Sequence, residues 1–262
     1  MQDLRASFRQ LWSFTRFPRQ YARTFFYFLW MLTFGVFERG VRARISEFSK
    51  TPPSPWLECL RPGRKGANAP EPRADLIPLV ALVEILGDGA EYSIFEPRAH
   101  RWNAPLLDVL ILGRIARRHQ PRALFEFGTF DGRTSLNLIA NAAPSARLDT
   151  IDIQKHACRF DGTSYESRIT RLLGDSLTYD FSPYLGRMDL VFVDAGHNYA
   201  AVRHDSEIAL KMLGPLGGIV IWHDYGPHCR GVTQALNELF LGHPRFASAR
   251  RIEDTSLVVL RL

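Results

Sequence analysis

The chain has 262 residues, 46% of them hydrophobic, and a formal net charge of +6, which allows one α/β domain of ordinary size plus an appendage. Residues 1–50 hold nine basic residues against Asp3, Glu38 and Glu47, so they carry the whole excess and residues 51–262 balance. A neutral core domain has no surplus to neutralise phosphates, which argues against nucleic acid as its substrate; Cys59, Cys158 and Cys229, few, scattered and odd in number, argue against a disulfide framework or zinc site and for a reducing compartment.

In chain order, residues 1–50 alternate aromatics with arginines and culminate in the apolar run Thr24–Phe37. As a helix that run would reach about 21 Å, short of the ~30 Å hydrocarbon core, so no transmembrane span is expected. No small-residue cleavage site follows to mark a signal peptide. Two readings stay open: a peripheral anchor on the anionic inner face of a membrane in a cytoplasmic protein, or a helical element for homo-oligomerisation or docking. Thr51–Arg73, rich in Pro, Gly and charge, reads as a linker within a cap region over 51–104. Leu76–Leu86 predicts a short helix, Glu91–Glu96 a short strand, and Pro105–His119 an amphipathic helix ending before Pro121. These are expected to cover the entry of the core, with Trp102 and Asn103 read equally as packing residues.

The core begins at Ala123–Phe127, a mostly apolar strand that runs into Gly128-Thr-Phe-Asp-Gly132 and then the helix opened by Arg133. A strand feeding a glycine turn and a helix N-terminus is how doubly wound α/β domains build a ligand cradle, and the glycines allow a sharp bend and close backbone approach. A dinucleotide fingerprint needs a glycine where Phe130 stands. That disfavours a nicotinamide dehydrogenase and favours a nucleoside ligand without a diphosphate, such as S-adenosylmethionine. Ala146–Ile153 predicts the next strand, whose terminal acid Asp152 is placed to accept ribose hydroxyls. Ile169–Leu173 predicts a third, followed by Asp175 and Ser176, where a carboxylate can accept the adenine amino group. Met188–Asp194 predicts a central strand, Ala201–Leu213 a helix, Ile219–Tyr225 a fifth strand and Gly231–Leu241 a helix. Arg250–Leu262 predicts an antiparallel hairpin turning at Asp254–Ser256.

Glu126-x-Gly128-x-x-x-Gly132-x-Thr134 resembles the first motif of class I S-adenosylmethionine-dependent methyltransferases. With Phe-Val-Asp194-Ala-Gly-His197-Asn-Tyr and Ile-Val-Ile-Trp-His223-Asp224-Tyr, the stretch from about Pro105 to Leu262 resembles their small O-methyltransferase type, macrocin and mycinamicin sugar enzymes above all. The resemblance implies a Rossmann-like α/β fold: a mostly parallel seven-stranded sheet with a C-terminal antiparallel hairpin, over residues 105–262. It implies cofactor contacts from Glu126, Gly128, Thr129, Gly132, Thr134, Asp152, Ile153, Asp175, Ser176 and Asp194. It further implies a divalent metal on Asp194, His223 and Asp224, and His197 as general base on the hydroxyl of a small-molecule or saccharide acceptor, with Asp194 beside it. The chain departs from the sugar enzymes at His223, where an acid is usual, and from catechol-type enzymes at Tyr225, where an amide usually ligates. Magnesium prefers hard oxygen donors; an imidazole shifts the preference toward manganese or another transition metal. The competing reading is a non-catalytic adenosyl-binding interaction protein tethered by its N-terminal helix.

Overall fold

The computed structural model describes residues 73–87, 90–100 and 102–262. The basic, aromatic segment over 1–50 and nearly all of the linker over 51–73 lie outside the described residues. The elements are β1 (Leu79–Val80), α1 (Leu82–Leu86), α2 (Leu106–His119), β2 (Ala123–Phe127), α3 (Arg133–Asn141), β3 (Arg147–Asp152), β4 (Ile169–Leu173) and β5 (Leu190–Val193). They continue with α4 (Tyr199–Met212), β6 (Ile219–Trp222), α5 (Arg230–Gly242), β7 (Arg250–Ile252) and β8 (Val258–Arg261), with short 3₁₀ turns between.

One sheet runs β1-β7-β8-β6-β5-β2-β3-β4. Strands β6, β5, β2, β3 and β4 are mutually parallel, and β8 lies antiparallel to both β6 and β7. The seven expected strands are present, and β1 adds an eighth at the edge. The chain order reverses between β2 and β5, and open α/β sheets bind ligands at the carboxyl ends of the strands flanking such a reversal.

The central strands alternate two buried faces, as a sheet covered on both sides requires. Leu190, Phe192, Ile219 and Ile221 pack with Ile111, Leu112 and Ile115 of α2 and with Leu138 and Ile139 of α3. Val191, Val193, Val220 and Trp222 pack on the other face with Val202 and Ala209 of α4 and with Leu236 and Leu239 of α5. Each such side chain contributes roughly 1.5–3 kcal/mol by leaving water, so both layers hold the strand ends in fixed register. Helix α2 ends as its sequence predicts: Gln120 takes a left-handed φ of 47°, and Pro121 follows.

Two expectations fail, for identifiable reasons. Leu76–Leu86 is not one helix, because Pro78 and Val80 carbonyls accept from Arg251 and Glu253 N–H; that pairing draws Leu79–Val80 into the sheet beside β7, leaving helix only over Leu82–Leu86. Glu91–Glu96 joins no sheet. Its backbone pairs instead with two amides of α3: Asn141 accepts from Ser93 N–H (2.8 Å) and donates to Ser93 O (2.7 Å), and Asn137 does the same for Phe95 (2.9 and 3.1 Å). Four residues of helix rise about 6 Å and two of strand about 6.6 Å, so amides at i and i+4 match alternate residues of an extended chain.

Candidate active site

At the carboxyl end of β2, Gly128 takes φ 95° and Gly132 φ 71°. A Cβ at Gly128 would collide with the Asp194 carbonyl oxygen, and one at Gly132 with the Phe160 ring. The protein's own packing thus fixes both glycines, and the turn lies directly against the end of β5. Gly128 N–H donates to Ile151 O and Gly132 N–H to Thr129 O, each at 2.8 Å. Asp152 Oδ2 accepts from Phe130 N–H (2.8 Å) and Oδ1 from Gln154 N–H (2.9 Å). The carboxylate is therefore locked at the tip of β3, and each oxygen keeps lone-pair capacity for a ribose hydroxyl.

The other expected cradle residues divide. Thr129 is buried, its hydroxyl 2.7 Å from that of Thr150; Thr134 is half-buried in the first turn of α3 and Ile153 exposed past Asp152. Asp175 is exposed and its Oδ1 accepts from Leu177 N–H, while Ser176 is half-buried near the buried Asp205. Glu126 departs from expectation. It is wholly buried, its Oε2 accepting from Ser135 and from Thr150 Oγ1, so it braces the cradle from beneath and does not line it. Burial pushes its carboxyl up to about 8 against the opposing hydroxyl bonds, with Asp194 and Asp152 pushing the same way.

The second cluster sits at the ends of β5 and β6. Asp194 and His197 follow β5, in the loop before Asn198 caps α4 by accepting from Ala201 N–H (3.0 Å). His223 and Asp224 follow β6, Asp224 at φ 63°, a conformation that short polar side chains tolerate best. His197 Nε2 stands 2.6 Å from Asp224 Oδ2 and 3.9 Å from Asp194 Oδ1. His223 Nδ1 stands 3.3 Å from Asp194 Oδ1 and 3.2 Å from Asp224 Oδ1, and its Nε2 is 3.1 Å from Asp108 Oδ2. Burial alone would lower the proton affinity of His223; Asp194, Asp224 and Asp108 override it and hold its pKa well above the usual histidine value. Burial likewise opposes the charge of Asp224, but His223 and His197 win and hold its carboxyl far below the usual range.

The field that raises the proton affinity of His223 favours other cations too. One donor atom each from Asp194, His223 and Asp224 all lie within 4.8 Å of one another. The two imidazole–carboxylate separations match the ~3 Å between neighbouring ligands on an ion with ~2.1 Å bonds. Those three residues fit a divalent cation, with a nitrogen donor that suits manganese or another transition metal better than magnesium.

Sequence reasoning missed several members of this edge. Asp108 was passed over within an amphipathic helix, although an acid among Val109, Ile111 and Leu112 is a detectable anomaly. Ser256 carries no sequence signal beyond that of a turn residue. Asn103 proves to be more than packing: it donates to Asp131 Oδ1 (2.9 Å), while Arg159 holds Asp131 Oδ2 (2.8 Å) and Glu96 (2.6 Å). Glu96 and Asn103 are thereby bound to the glycine turn.

A three-layer sheet with this strand order, a glycine turn at the reversal and an acid-ended second strand defines the class I methyltransferase fold. The family model for a methyltransferase domain matches residues 125–225, the stretch that runs from β2 to just past Asp224. No curated protein matches the chain. Among solved structures, cofactor-bound Rv0187 from MTB is similar at 19% identity and TM-score 0.50, over 81% of this chain and 98% of that one. The SAH-bound methyltransferase PaMTH1 of Podospora anserina is similar at 17% identity and TM-score 0.50, over 86% and 96% respectively. Among the described residues no helix is long and apolar enough to cross a membrane.

Proposed function

We propose that the protein is an S-adenosylmethionine-dependent O-methyltransferase acting on a hydroxyl of a small molecule or saccharide, with a divalent cation on Asp194, His223 and Asp224. The observation that carries this is the contact between the two clusters: the Gly128 turn leaves no room for a Cβ against the Asp194 carbonyl. A donor held in the cradle by Asp152 thus has its reactive end beside His197 and the carboxylates. PaMTH1, solved with SAH, has the same fold.

Methyl transfer is an in-line displacement, so alignment supplies much of the rate. The acceptor oxygen forms a bond to the methyl carbon as the carbon–sulfur bond breaks, and the bond pair stays on sulfur. The hydroxyl proton goes to the His197 nitrogen that does not face Asp224; Nε2 carries the hydrogen directed at Asp224 Oδ2, and that carboxylate stabilises the imidazolium formed. Glu126, neutral near pH 7, adds no charge beneath the donor's sulfonium. A bound cation would lower the pKa of the acceptor hydroxyl.

Two measurements test this. Calorimetry with S-adenosylhomocysteine and NAD is expected to show binding of the first and none of the second. An acceptor screen with methyl-labelled donor is expected to show transfer to a hydroxylated acceptor that slows on adding chelator. Tight binding of NAD without S-adenosylhomocysteine would remove the assignment, and turnover indifferent to chelator would remove the cation.

A further inference from the structure

We infer that Asp108, clamped by Ser256, is a positioning residue that fixes the ring of His223 so that Nδ1 faces Asp194 and Asp224 as a ligand atom. The inference rests on the cation site proposed above and adds to it two residues from distant parts of the chain. Asp108 lies in the first turn of α2 and is 1% exposed. Its Oδ2 accepts from Ser256 Oγ (2.8 Å) and from Ser256 N–H (3.3 Å), and stands 3.1 Å from His223 Nε2.

The hydrogen directions follow from the partners. Ser256 Oγ accepts from Asp224 N–H (3.3 Å), so its own proton is free to point at Asp108. Ser256 O accepts from Tyr225 N–H (2.9 Å), which fastens the hairpin turn to the end of β6. Receiving two donors from Ser256, the Asp108 carboxylate has only lone pairs to turn toward His223, and at 3.1 Å it favours a ring hydrogen on Nε2 over one on Nδ1. When a metal cation displaces the Nδ1 proton, the lone pair of the ring resides on Nδ1. Nδ1 confronts two further carboxylate oxygens at 3.2 and 3.3 Å, neither of which offers a hydrogen when ionised. A position ringed by acceptors on every side is matched by a cation. A carboxylate that fixes the far nitrogen of a ligating histidine selects the tautomer and strengthens the donor. Without Asp108 the ring could rotate or carry its hydrogen on Nδ1, and the donor set would shrink to two carboxylates.

The test is manganese binding by the full chain, followed through the electron paramagnetic resonance of free Mn²⁺, for the wild type, Asp108→Asn and Ser256→Ala. Thermal melting and S-adenosylhomocysteine calorimetry run alongside. We expect Asp108→Asn to weaken Mn²⁺ binding by about ten- to a hundredfold and Ser256→Ala by less, with melting temperature and S-adenosylhomocysteine affinity close to wild type. A merely structural role would lower all three together. Wild-type Mn²⁺ affinity in a folded Asp108→Asn overturns the role of Asp108 and leaves the cation site standing. Should Asp108→Asn fail to fold, unchanged Mn²⁺ affinity in Ser256→Ala overturns it equally. A wild type that binds S-adenosylhomocysteine but no Mn²⁺ overturns the cation site itself.

Discussion

The two clusters at the carboxyl edge of the sheet are built on opposite plans. The cradle between β2 and β3 is local: Gly128, Phe130, Gly132 and Asp152 come from two successive strands, and backbone N–H groups satisfy its carboxylate. The centre beyond β5 and β6 is assembled from four separated stretches, with Asp108 on α2, Asp194 and His197 after β5, His223 and Asp224 after β6, and Ser256 in the hairpin turn. One is a rigid backbone form, which the proposed function assigns to the adenosyl donor. The other is a charge cluster whose members hold each other in place, so removing one leaves partners buried and unpaired. On the proposed function the difference separates binding from chemistry, and variants in each should damage one without the other.

The largest effect is expected at the seam between them. Gly128→Ala forces a Cβ into the Asp194 carbonyl at a φ of 95°, combining backbone strain with overpacking of about 1–3 kcal/mol each. It should lower the melting temperature by many degrees and abolish S-adenosylhomocysteine binding. A stable variant that binds normally would show the clusters to be independent. Next comes His197→Ala, expected to lower kcat by about 10²–10⁴ while calorimetric affinity for S-adenosylhomocysteine stays within about twofold. An unchanged kcat would remove His197 as the base; a joint loss of affinity would move it to the cradle. Smaller again is Asp152→Asn, which replaces an ionised acceptor of backbone and ribose groups with an amide. A loss of about ten- to a hundredfold in S-adenosylhomocysteine affinity, with kcat at saturation retained, is expected from one or two charged hydrogen bonds.

The same contrast explains what the sequence disclosed. The cradle was legible because strand, turn glycines and second-strand acid are consecutive, and positive-φ turns advertise themselves as glycine. Asp194, His223 and Asp224 stand within two residues of the end of an apolar strand and His197 three residues after Asp194, and it is the resemblance to O-methyltransferase motifs that singles them out in the sequence. Asp108 and Ser256 were not legible, because their meaning depends on the hairpin turn folding back over α2, a pairing of residues 148 positions apart. The extended segment over 91–96 misled for a related reason: its period is that of a strand, but the side chains of Asn137 and Asn141 supply the hydrogen bonds a neighbouring strand would. Glu126 misled because its place in the motif does not reveal that its side chain turns inward.

Glu126 offers the smallest effect and the sharpest division between supporting a cradle and lining it. Its carboxyl is held up to about 8 chiefly by burial, against 4.5 for a free glutamate, so the folded state keeps a proton that the unfolded state gives up. The stability this provides is complete below pH 4.5 and is lost progressively as pH rises toward 8. Glu126→Gln keeps the shape, cannot ionise, and leaves Ser135 and Thr150 an amide oxygen to donate to. Its unfolding free energy, followed by denaturant titration between pH 5 and 8, should therefore fall less steeply than that of the wild type. A flattening of a few kcal/mol at most across the window is expected, with S-adenosylhomocysteine affinity at pH 6 nearly unchanged. If the two slopes coincide, the carboxyl is ionised in the fold despite its burial. If instead the affinity falls at pH 6 while stability holds, Glu126 reaches the ligand, and the line drawn between the floor of the cradle and its wall lies in the wrong place.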